Sequence, residues 1–153
     1  MDFSKSISFP QPVLKWVGRG EPEYAAILEL RRDVLRRPLG LDFSPQDIAA
    51  EKDDLFLSLW DGEFLAGCLL LRDKGRGVAQ MRQVAVAEGR RGRGLGRMLV
   101  EEAEAECRRR GFGRVILHAR ADAEEFYRRL GYRAEGEPFA EIGIRHQLMA
   151  KAL

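Results

Sequence analysis

The sequence predicts an α/β fold, a single domain with a mixed central sheet of about six to seven strands flanked by about four helices. Three observations support this class. The length of 153 residues suits one domain. Short apolar runs typical of strands are interspersed with stretches that have the period of amphipathic helices. A glycine-rich loop connects a strand to the longest of these helices.

The composition argues against several other classes of protein. Hydrophobic residues make up 45% and charged residues 33% of the chain, as in ordinary globular proteins. The apolar runs are far shorter than the ~20 residues of a membrane-spanning helix, so we expect no membrane partner. Cys68 and Cys107 form no C-x-x-C pair, which argues against a disulfide framework or a cysteine-rich zinc site. Met1–Pro12 lack the pattern of a signal peptide, so we expect a cytoplasmic location.

The N-terminal third predicts one strand and two helices. Val13–Val17 is a short strand-like run that ends at glycines. Pro22–Leu39 repeats apolar residues at helical spacing, and proline suits a first helical turn. Ser44 followed by Pro45 is a typical helix start, which predicts a short second helix to about Asp53.

The middle of the chain predicts three strands. The apolar runs Leu55–Trp60 and Phe64–Leu71 are separated by a segment that begins Asp-Gly, a strong hairpin signal. A second turn at Asp73–Gly77 leads to a third strand, Val78–Ala87.

The longest helix is predicted over Leu95–Arg110. Apolar residues recur along one face at helical spacing, which indicates that this face packs on the sheet. The glutamates of this helix precede its arginines, an order that suits the helix dipole. The spacing predicts the ion pairs Glu104–Arg108 and Glu106–Arg110.

The C-terminal part predicts a strand, a helix and two further strands. The strand centres on Val115–Leu117. The helix Ala123–Leu130 follows Asp122, which resembles the first residue of a capping box. Tyr132–Ala134 and Ile144–Ala150 are the last two strands, and we expect a glycine- and proline-containing loop between them.

The charge of the chain is unevenly distributed. The formal net charge is only +2, but 13 arginines and 8 acidic residues give +5 between Arg82 and Arg133. An anionic ligand near this segment would account for the excess. Nucleic acid is one such ligand, but acidic residues interrupt the arginines and few aromatic residues accompany them, so we expect no nucleic-acid partner.

The segment Gly89–Gly96, with the sequence GRRGRGLG, explains part of this charge. Its glycines allow backbone N–H groups to turn towards one point, and the following helix adds the free N–H groups of its first turn. Positive charge comes from the side chains of Arg90, Arg91, Arg93 and Arg97. The loop therefore suits a polyphosphate, although a glycine-rich turn with surface arginines is the alternative.

Two common phosphate motifs do not fit this loop. A nucleoside-triphosphate P-loop needs Lys-Ser/Thr where Leu95-Gly96 stand. A dinucleotide fingerprint needs Gly-x-Gly-x-x-Gly, and neither register of the glycines supplies it.

A third pattern does fit. Arg91, Gly94 and Gly96 match Arg/Gln-x-x-Gly-x-Gly/Ala, and the loop resembles the acetyl-CoA pyrophosphate loop of the GNAT superfamily of N-acetyltransferases. Beginning 27 residues after Gly96, the block Ala123–Tyr132 resembles Ala-x-x-Phe-Tyr-x-x-x-Gly-Phe/Tyr of the same family. Two further segments resemble a branch of small bacterial members whose substrates are poorly assigned: Leu35–Gly40 and Phe139–His146.

The resemblance implies a GNAT-like fold and one N-acetyltransferase domain over residues 1–153. It implies acetyl-CoA as cosubstrate, no metal, and an amine of a small molecule or protein as acceptor; because many relatives pair, it also allows a homodimer. The cofactor-binding residues that it implies are Val84, Ala85, Val86, Arg91, Gly92, Arg93, Gly94, Leu95, Gly96 and Arg97.

The resemblance also implies catalytic candidates. Tyr127 matches the family's tyrosine and is the candidate acid for the leaving thiol. Glu141 and His146 are candidate bases for the amine, with His118 and Glu51 as further choices. His118 lies in a predicted strand, where we expect a packed or hydrogen-bonded core histidine.

The chain departs from the family pattern at two places. Many relatives carry an asparagine that contacts CoA, but this chain contains no asparagine, and Arg120-Ala121 occupies that region. Proline often precedes the histidine of the last segment, where this chain has Arg145. A CoA-binding sensor that has lost catalysis is the alternative function within the same fold.

Overall fold

The computed structural model describes residues 11–153, so most of the segment considered for a signal peptide lies outside the described residues. Seven strands form one mixed sheet in the order β1-β2-β3-β4-β5-β7-β6, in which only β4 and β5 run parallel. The strands are β1 (Val13–Val17), β2 (Leu55–Asp61), β3 (Phe64–Gly75), β4 (Val78–Val86), β5 (Arg114–Arg120), β6 (Arg133–Glu141) and β7 (Ile144–Ala152).

Four α-helices flank the sheet, which confirms the predicted fold class. They are α1 (Glu23–Arg31), α2 (Pro45–Ala49), α3 (Leu95–Arg109) and α4 (Glu124–Arg129). None of the helices formed by residues 11–153 has the length and apolar character needed to cross a membrane.

The first predicted helix is present, but its hydrogen-bonding pattern changes part-way. After α1 the chain continues as a π-helical turn, Arg32–Arg36, and then as a 3₁₀ turn, Arg37–Leu39. Gly40 ends the segment in the left-handed conformation, with φ at 69°. A π turn widens the helix, and apolar spacing alone does not reveal it.

The local start of α2 agrees with the prediction. The Ser44 hydroxyl accepts a hydrogen bond from the Asp47 N–H, and the Asp47 carboxylate accepts one from the Ser44 N–H. This reciprocal cap fixes the helix start. The helix ends at Ala49, earlier than the predicted Asp53.

The prediction of a glycine- and proline-containing loop between the last two strands is wrong. β6 runs through Gly136 and Pro138 to Glu141, and only a short turn separates it from β7. Its register on β7 shifts between Glu135 and Phe139. Because β6 is an edge strand with an irregularity, it accommodates a proline that has no N–H to donate.

Two side-chain predictions on the helices are also wrong. Asp122 does not cap α4, which begins after Ala123 without a side-chain cap. Glu104 does not pair with Arg108: its buried carboxylate accepts hydrogen bonds from Lys151 Nζ at 2.9 and 3.1 Å and from the Tyr132 hydroxyl at 3.2 Å. The C-terminal strand brings these partners to Glu104 across the fold.

The other predicted pair, Glu106–Arg110, is present, with 2.9 Å between Arg110 Nε and the carboxylate. Both of its side chains lie on the outer surface of α3, where sequence spacing decides the contact.

The sheet buries apolar side chains on both faces. The first face packs against α3 and α4. The buried residues of α3 on this face include Leu95, Leu99, Ala103 and Cys107. The second face packs against α1 and the π-helical turn. Cys68 lies on this second face, and burial raises the pKa of its thiol to about 12. We call these the α3 face and the α1 face.

A buried ion pair joins α1 to the chain after α2. Arg31 is fully buried, Glu51 is 2% exposed, and Arg31 Nη1 lies 3.0 Å from Glu51 Oε1. The Arg31 guanidinium also lies 4.6 Å from the centre of the Phe43 ring. Removal of one partner would leave the other charge buried without compensation, which typically costs about 3–5 kcal/mol.

We therefore expect Arg31→Met and Glu51→Leu each to lower the free energy of unfolding by about 3–5 kcal/mol. The double variant should recover most of this loss, because it leaves no uncompensated charge. Urea unfolding measures all three. Arg129→Met, which removes one partner of the exposed Arg129–Glu125 pair, is the control and should change stability by less than about 1 kcal/mol. Additive losses in the double variant would contradict this account.

Candidate functional site

The sheet opens between β4 and β5. The two strands pair only from Val78–Met81 on β4 and Arg114–Leu117 on β5, although both continue further. On its other edge, β4 carries one residue more than β3 after Arg82, and Gln83 in this bulge has φ at 54°. A bulge bends its strand, so β4 leaves β5 and the sheet parts.

A cavity of about 630 Å³ lies at this opening. Its walls come from the ends of β4 and β5, from α4, from the π-helical turn and from the β6–β7 turn. Among the residues that line it are Arg36, Asp42, Asp47, Arg72, Lys74, Gln83, Val84, His118, Arg120, Tyr127, Glu141 and His146. The cavity thus has walls from both faces of the sheet.

The glycine-rich loop leads from β4 into α3 and leaves the start of that helix open. Gly94 precedes α3 with φ at 75°, and no side chain caps the helix. A Cβ at Gly96 would lie 3.2 Å from the Phe126 ring, so glycine at this position permits α3 and α4 to approach each other. The first N–H groups of α3 are therefore available to an anion, at the positive end of the helix dipole.

The arginines of the loop divide into two groups. Arg91, Arg93 and Arg97 are exposed; Arg91 Nε donates to the Val86 carbonyl at 3.4 Å, and Arg97 pairs with Glu101 on the next helical turn. Arg90 instead turns away from the loop and stacks over the Phe64 ring at 4.0 Å. Three of the four predicted cations thus remain around the loop.

The other predicted cofactor-binding residues lie on β4 and in the loop. Val84 lines the cavity, and Val86 packs on the α3 face. Ala85 is buried on the α1 face. Gly92 is exposed in the loop, and Leu95 is buried at the start of α3.

Tyr127 projects from α4 into the wall of the cavity. It is 6% exposed and packs edge-on against the Phe126 and Tyr132 rings, with centroid distances of 5.0 and 5.8 Å. Burial raises the pKa of Tyr127 well above the ordinary value of tyrosine. The hydroxyl therefore stays protonated and can act as a hydrogen-bond donor.

Glu141 brings two histidines together. Its Oε2 lies 3.4 Å from His118 Nδ1 and 3.6 Å from His146 Nε2. His146 is 4% exposed, and its Nδ1 lies 2.8 Å from the Ile144 carbonyl. Since a carbonyl only accepts, Nδ1 carries a proton and Nε2 is the nitrogen directed towards Glu141.

The structure thus gathers three of the four candidate bases at the cavity. The expectation of a core position for His118 is wrong: its side chain is 35% exposed, because it lies on β5 beyond the last residue paired with β4. Glu51 is the fourth candidate, and its buried pair with Arg31 lies outside the cavity wall.

The positions of two polar cavity residues, Arg36 and Gln83, could not be predicted from the sequence. Arg36 reaches the cavity from the π-helical turn, which no spacing rule signals. The Gln83 Oε1 atom is buried without a hydrogen-bond partner among residues 11–153. Gln83 lies in the β4 bulge with a positive φ, and the alternating sequence of β4 does not predict this bulge.

This geometry can be compared with known proteins. Residues 42–153 match the family model described as an acetyltransferase (GNAT) domain. The chain belongs to the GNAT family.

Its similarity to curated relatives covers part of the chain. It is 32% identical over 76 residues to the "Uncharacterized protein YyaT" of Bacillus subtilis (strain 168), a match that covers 50% of this chain and 51% of that protein. The chain therefore spans about half the length of the first curated relatives it matches.

Solved structures are similar over nearly the whole chain. An acyl-CoA N-acyltransferase from Pseudomonas aeruginosa superimposes with a TM-score of 0.80 and 26% identity, over 93% of this chain and 100% of that one. A GNAT family acetyltransferase from Elizabethkingia anophelis with acetyl-CoA bound gives a TM-score of 0.73 at 16% identity, over 93% and 98%. The second likeness shows the GNAT fold alone.

No group of three or more His, Cys, Asp or Glu side chains within residues 11–153 of this GNAT chain is arranged to hold a metal ion.

The raised pKa of Tyr127 predicts how the stability of this GNAT chain depends on pH. Above the ordinary tyrosine pKa of about 10 the unfolded chain ionises this residue, whereas the folded chain keeps it protonated. Its contribution to stability is therefore complete below that pH and decreases as the pH rises. Between about pH 9 and 11, urea unfolding should show wild type losing about 1 kcal/mol more than Tyr127→Phe.

Phe126→Leu is the control for this measurement, because it alters the neighbouring ring without removing an ionisable group. Its stability difference from wild type should stay constant over the same pH range. A constant difference for Tyr127→Phe as well would contradict the raised pKa.

Proposed function

We propose that this protein is an acetyl-CoA-dependent N-acetyltransferase, formed by one domain over residues 1–153. It transfers an acetyl group directly from the thioester to a primary amine of a small molecule or protein, in the cytoplasm. The observation that carries the proposal is the opening between β4 and β5, which joins Tyr127 on one side of the sheet to the Glu141 cluster on the other.

In this proposal the pyrophosphate of acetyl-CoA binds at the glycine-rich loop. The uncapped N-terminus of α3 and the exposed arginines Arg91, Arg93 and Arg97 supply N–H donors and positive charge. The loop residues Gly92, Gly94, Leu95 and Gly96 present their backbone to the phosphates. The pantetheine arm then follows β4 at Val84, Ala85 and Val86 towards the opening. The Elizabethkingia acetyltransferase with acetyl-CoA bound has the same fold, which supports acetyl-CoA as the cosubstrate.

The reaction needs a donor for the oxygen of the thioester. When the amine attacks the carbonyl carbon, the C=O pair moves onto oxygen, and a backbone N–H of Val84 or Ala85 stabilises the resulting negative charge. The nitrogen that attacked then loses its surplus proton to solvent, the carbonyl re-forms, the C–S bond breaks, and the electron pair leaves on sulfur.

Tyr127 meets the departing thiolate in this scheme. Because burial raises the pKa of Tyr127, a tyrosinate in this position would be unfavourable. A strong hydrogen bond to the developing thiolate is therefore the main contribution of the hydroxyl, and a proton that passes to sulfur is replaced from solvent.

Glu141 and His146 serve the attacking amine. An ammonium group must lose a proton before it can attack, and in a neutral His146 ring whose Nδ1 donates to the Ile144 carbonyl, Nε2 is the nitrogen that can accept it. Glu141 stabilises the imidazolium that forms. Its side chain is 46% exposed, so the proton can pass on to solvent.

The loop assignment can be tested by calorimetry with acetyl-CoA, for which we expect micromolar affinity. Arg91→Glu and Gly94→Glu should each weaken binding about tenfold or more, because a carboxylate would face the pyrophosphate. The control is Arg76→Glu, an identical charge change on an exposed arginine in the β3–β4 turn, at the opposite end of β4. Wild-type affinity in the two loop variants would reject the assignment.

The role of Tyr127 can be tested by thiol release with any amine that the enzyme accepts. Tyr127→Phe should lower kcat about a hundredfold, since it removes a donor needed only as the thiolate leaves, and should leave the Kd of acetyl-CoA within about threefold. Tyr132→Phe is the matched control, because it removes another buried hydroxyl, one bonded to Glu104 and absent from the cavity wall. Unchanged kcat in Tyr127→Phe would exclude Tyr127 as the acid.

A further inference from the structure

Arg36 and Arg120 place two neighbouring guanidinium groups in the cavity wall. Arg36 Nη1 donates to the Leu35 carbonyl at 3.1 Å, and Arg120 Nη2 donates to the same oxygen at 2.9 Å. One carbonyl oxygen thus holds two like charges side by side. Burial, followed by the positive charge of Arg120, lowers the pKa of Arg36.

No carboxylate among residues 11–153 lies within 4.0 Å of either group. Other buried or half-buried arginines nearby do have such a partner: Arg31 pairs with Glu51, and Arg72 pairs with Asp54 at 2.9 Å. Asp47 and Glu141 act on Arg36 only from longer range, so within the part of the chain that the structure describes neither Arg36 nor Arg120 has a carboxylate partner at salt-bridge distance. An anion that entered the cavity would supply such a partner.

The pair lies on the α1 face of the sheet. Arg36 belongs to the π-helical turn, whose Val34 and Leu35 pack on that face. Along β5, Val115, Leu117 and Ala119 pack on the α3 face, so alternation directs Arg120 to the α1 face.

The same face carries the proposed base. Side chains alternate along β5, which places His118 with Arg120, and His146 is the residue directly opposite Arg120 on β7. The glycine-rich loop, in contrast, leads into α3 on the other face. The unpaired arginines therefore stand beside the amine-binding groups and away from the proposed pyrophosphate site.

We propose that the acceptor is a short primary amine that also carries an anionic group, with a carboxylate as the simplest case. Arg36 and Arg120 bind the anion while the amine meets His146 and Glu141. His146 is directly opposite Arg120, and both side chains line the same cavity as Arg36 and Glu141, so one short molecule can contact both groups. This inference rests on the proposed acetyltransferase function, whose substrate class it specifies.

The first test compares acceptors that differ only in the anionic group. Thiol release from acetyl-CoA is measured with glycine, β-alanine and 4-aminobutanoate, with the carboxamide of each, and with butylamine and 1,4-diaminobutane. 3-Aminopropylphosphonate distinguishes a phosphonate from a carboxylate. We expect kcat/KM for the best amino acid to exceed that for its carboxamide at least about tenfold, or kcat/KM for the phosphonate to exceed that for butylamine by the same factor. A preference for uncharged amines or for the diamine would overturn the proposal.

Variants locate the effect on the two arginines. Arg36→Gln and Arg120→Gln should raise KM for the anionic acceptor at least about tenfold and leave kcat/KM for its carboxamide within about threefold. Arg36→Lys should restore part of the affinity because it retains the charge, and Arg76→Gln is the control at an exposed arginine that does not line the cavity. An equal loss for charged and uncharged acceptors would show a structural role only and overturn the proposal.

A binding measurement separates this proposal from the proposed function. 4-Acetamidobutanoate, the product from 4-aminobutanoate, is titrated calorimetrically into the protein with and without CoA. Binding that both arginine variants weaken supports the anion site even if no acetyl transfer is seen, whereas absence of acetyl-CoA binding would overturn the proposed function alone. If acetyl-CoA binds but neither turnover nor product binding depends on Arg36 and Arg120, the acceptor proposal is wrong.

Discussion

The separation of β4 from β5 after Met81 is the constraint on which the rest of the site depends. A parallel pair that continued to the ends of both strands would bury its backbone groups in hydrogen bonds and close the sheet. The bulge at Gln83 prevents this, since one additional residue bends β4 away. The opening then gives one cavity access to the α3 face and the α1 face together, which in the proposed reaction lets the two substrates approach from opposite sides.

The two faces have different chemistry because different elements cover them. α3 and α4 bring an uncapped helix start and Tyr127, which suit phosphates and a leaving thiol. The π-helical turn and the last strands bring arginines, histidines and a glutamate. In the proposed reaction, each reactant thus meets groups of suitable charge before the two come together at the opening.

Interactions close in sequence could be predicted, and those between distant segments could not. The helix start at Ser44 and the Glu106–Arg110 pair follow from local sequence patterns, and both are present. Glu104 obeys the same spacing rule towards Arg108, yet the fold offers it Lys151 from the far end of the chain. The glycine-rich loop was recognisable as a sequence pattern, but Arg36 meets Arg120 only through the carbonyl of Leu35, which no local pattern contains.

The charge distribution shows why the arginines need to be judged by their surroundings. The local excess of +5 between Arg82 and Arg133 includes Arg109 and Arg110, which glutamates of α3 neutralise. Arg36 lies outside that stretch, yet it is one of the two cavity arginines without a carboxylate partner among the described residues. Two like charges held side by side oppose folding, whereas paired arginines such as Arg72 do not. In the proposed acceptor site a bound anion would offset this repulsion, so the contact that opposes folding is also the one that would bind the substrate.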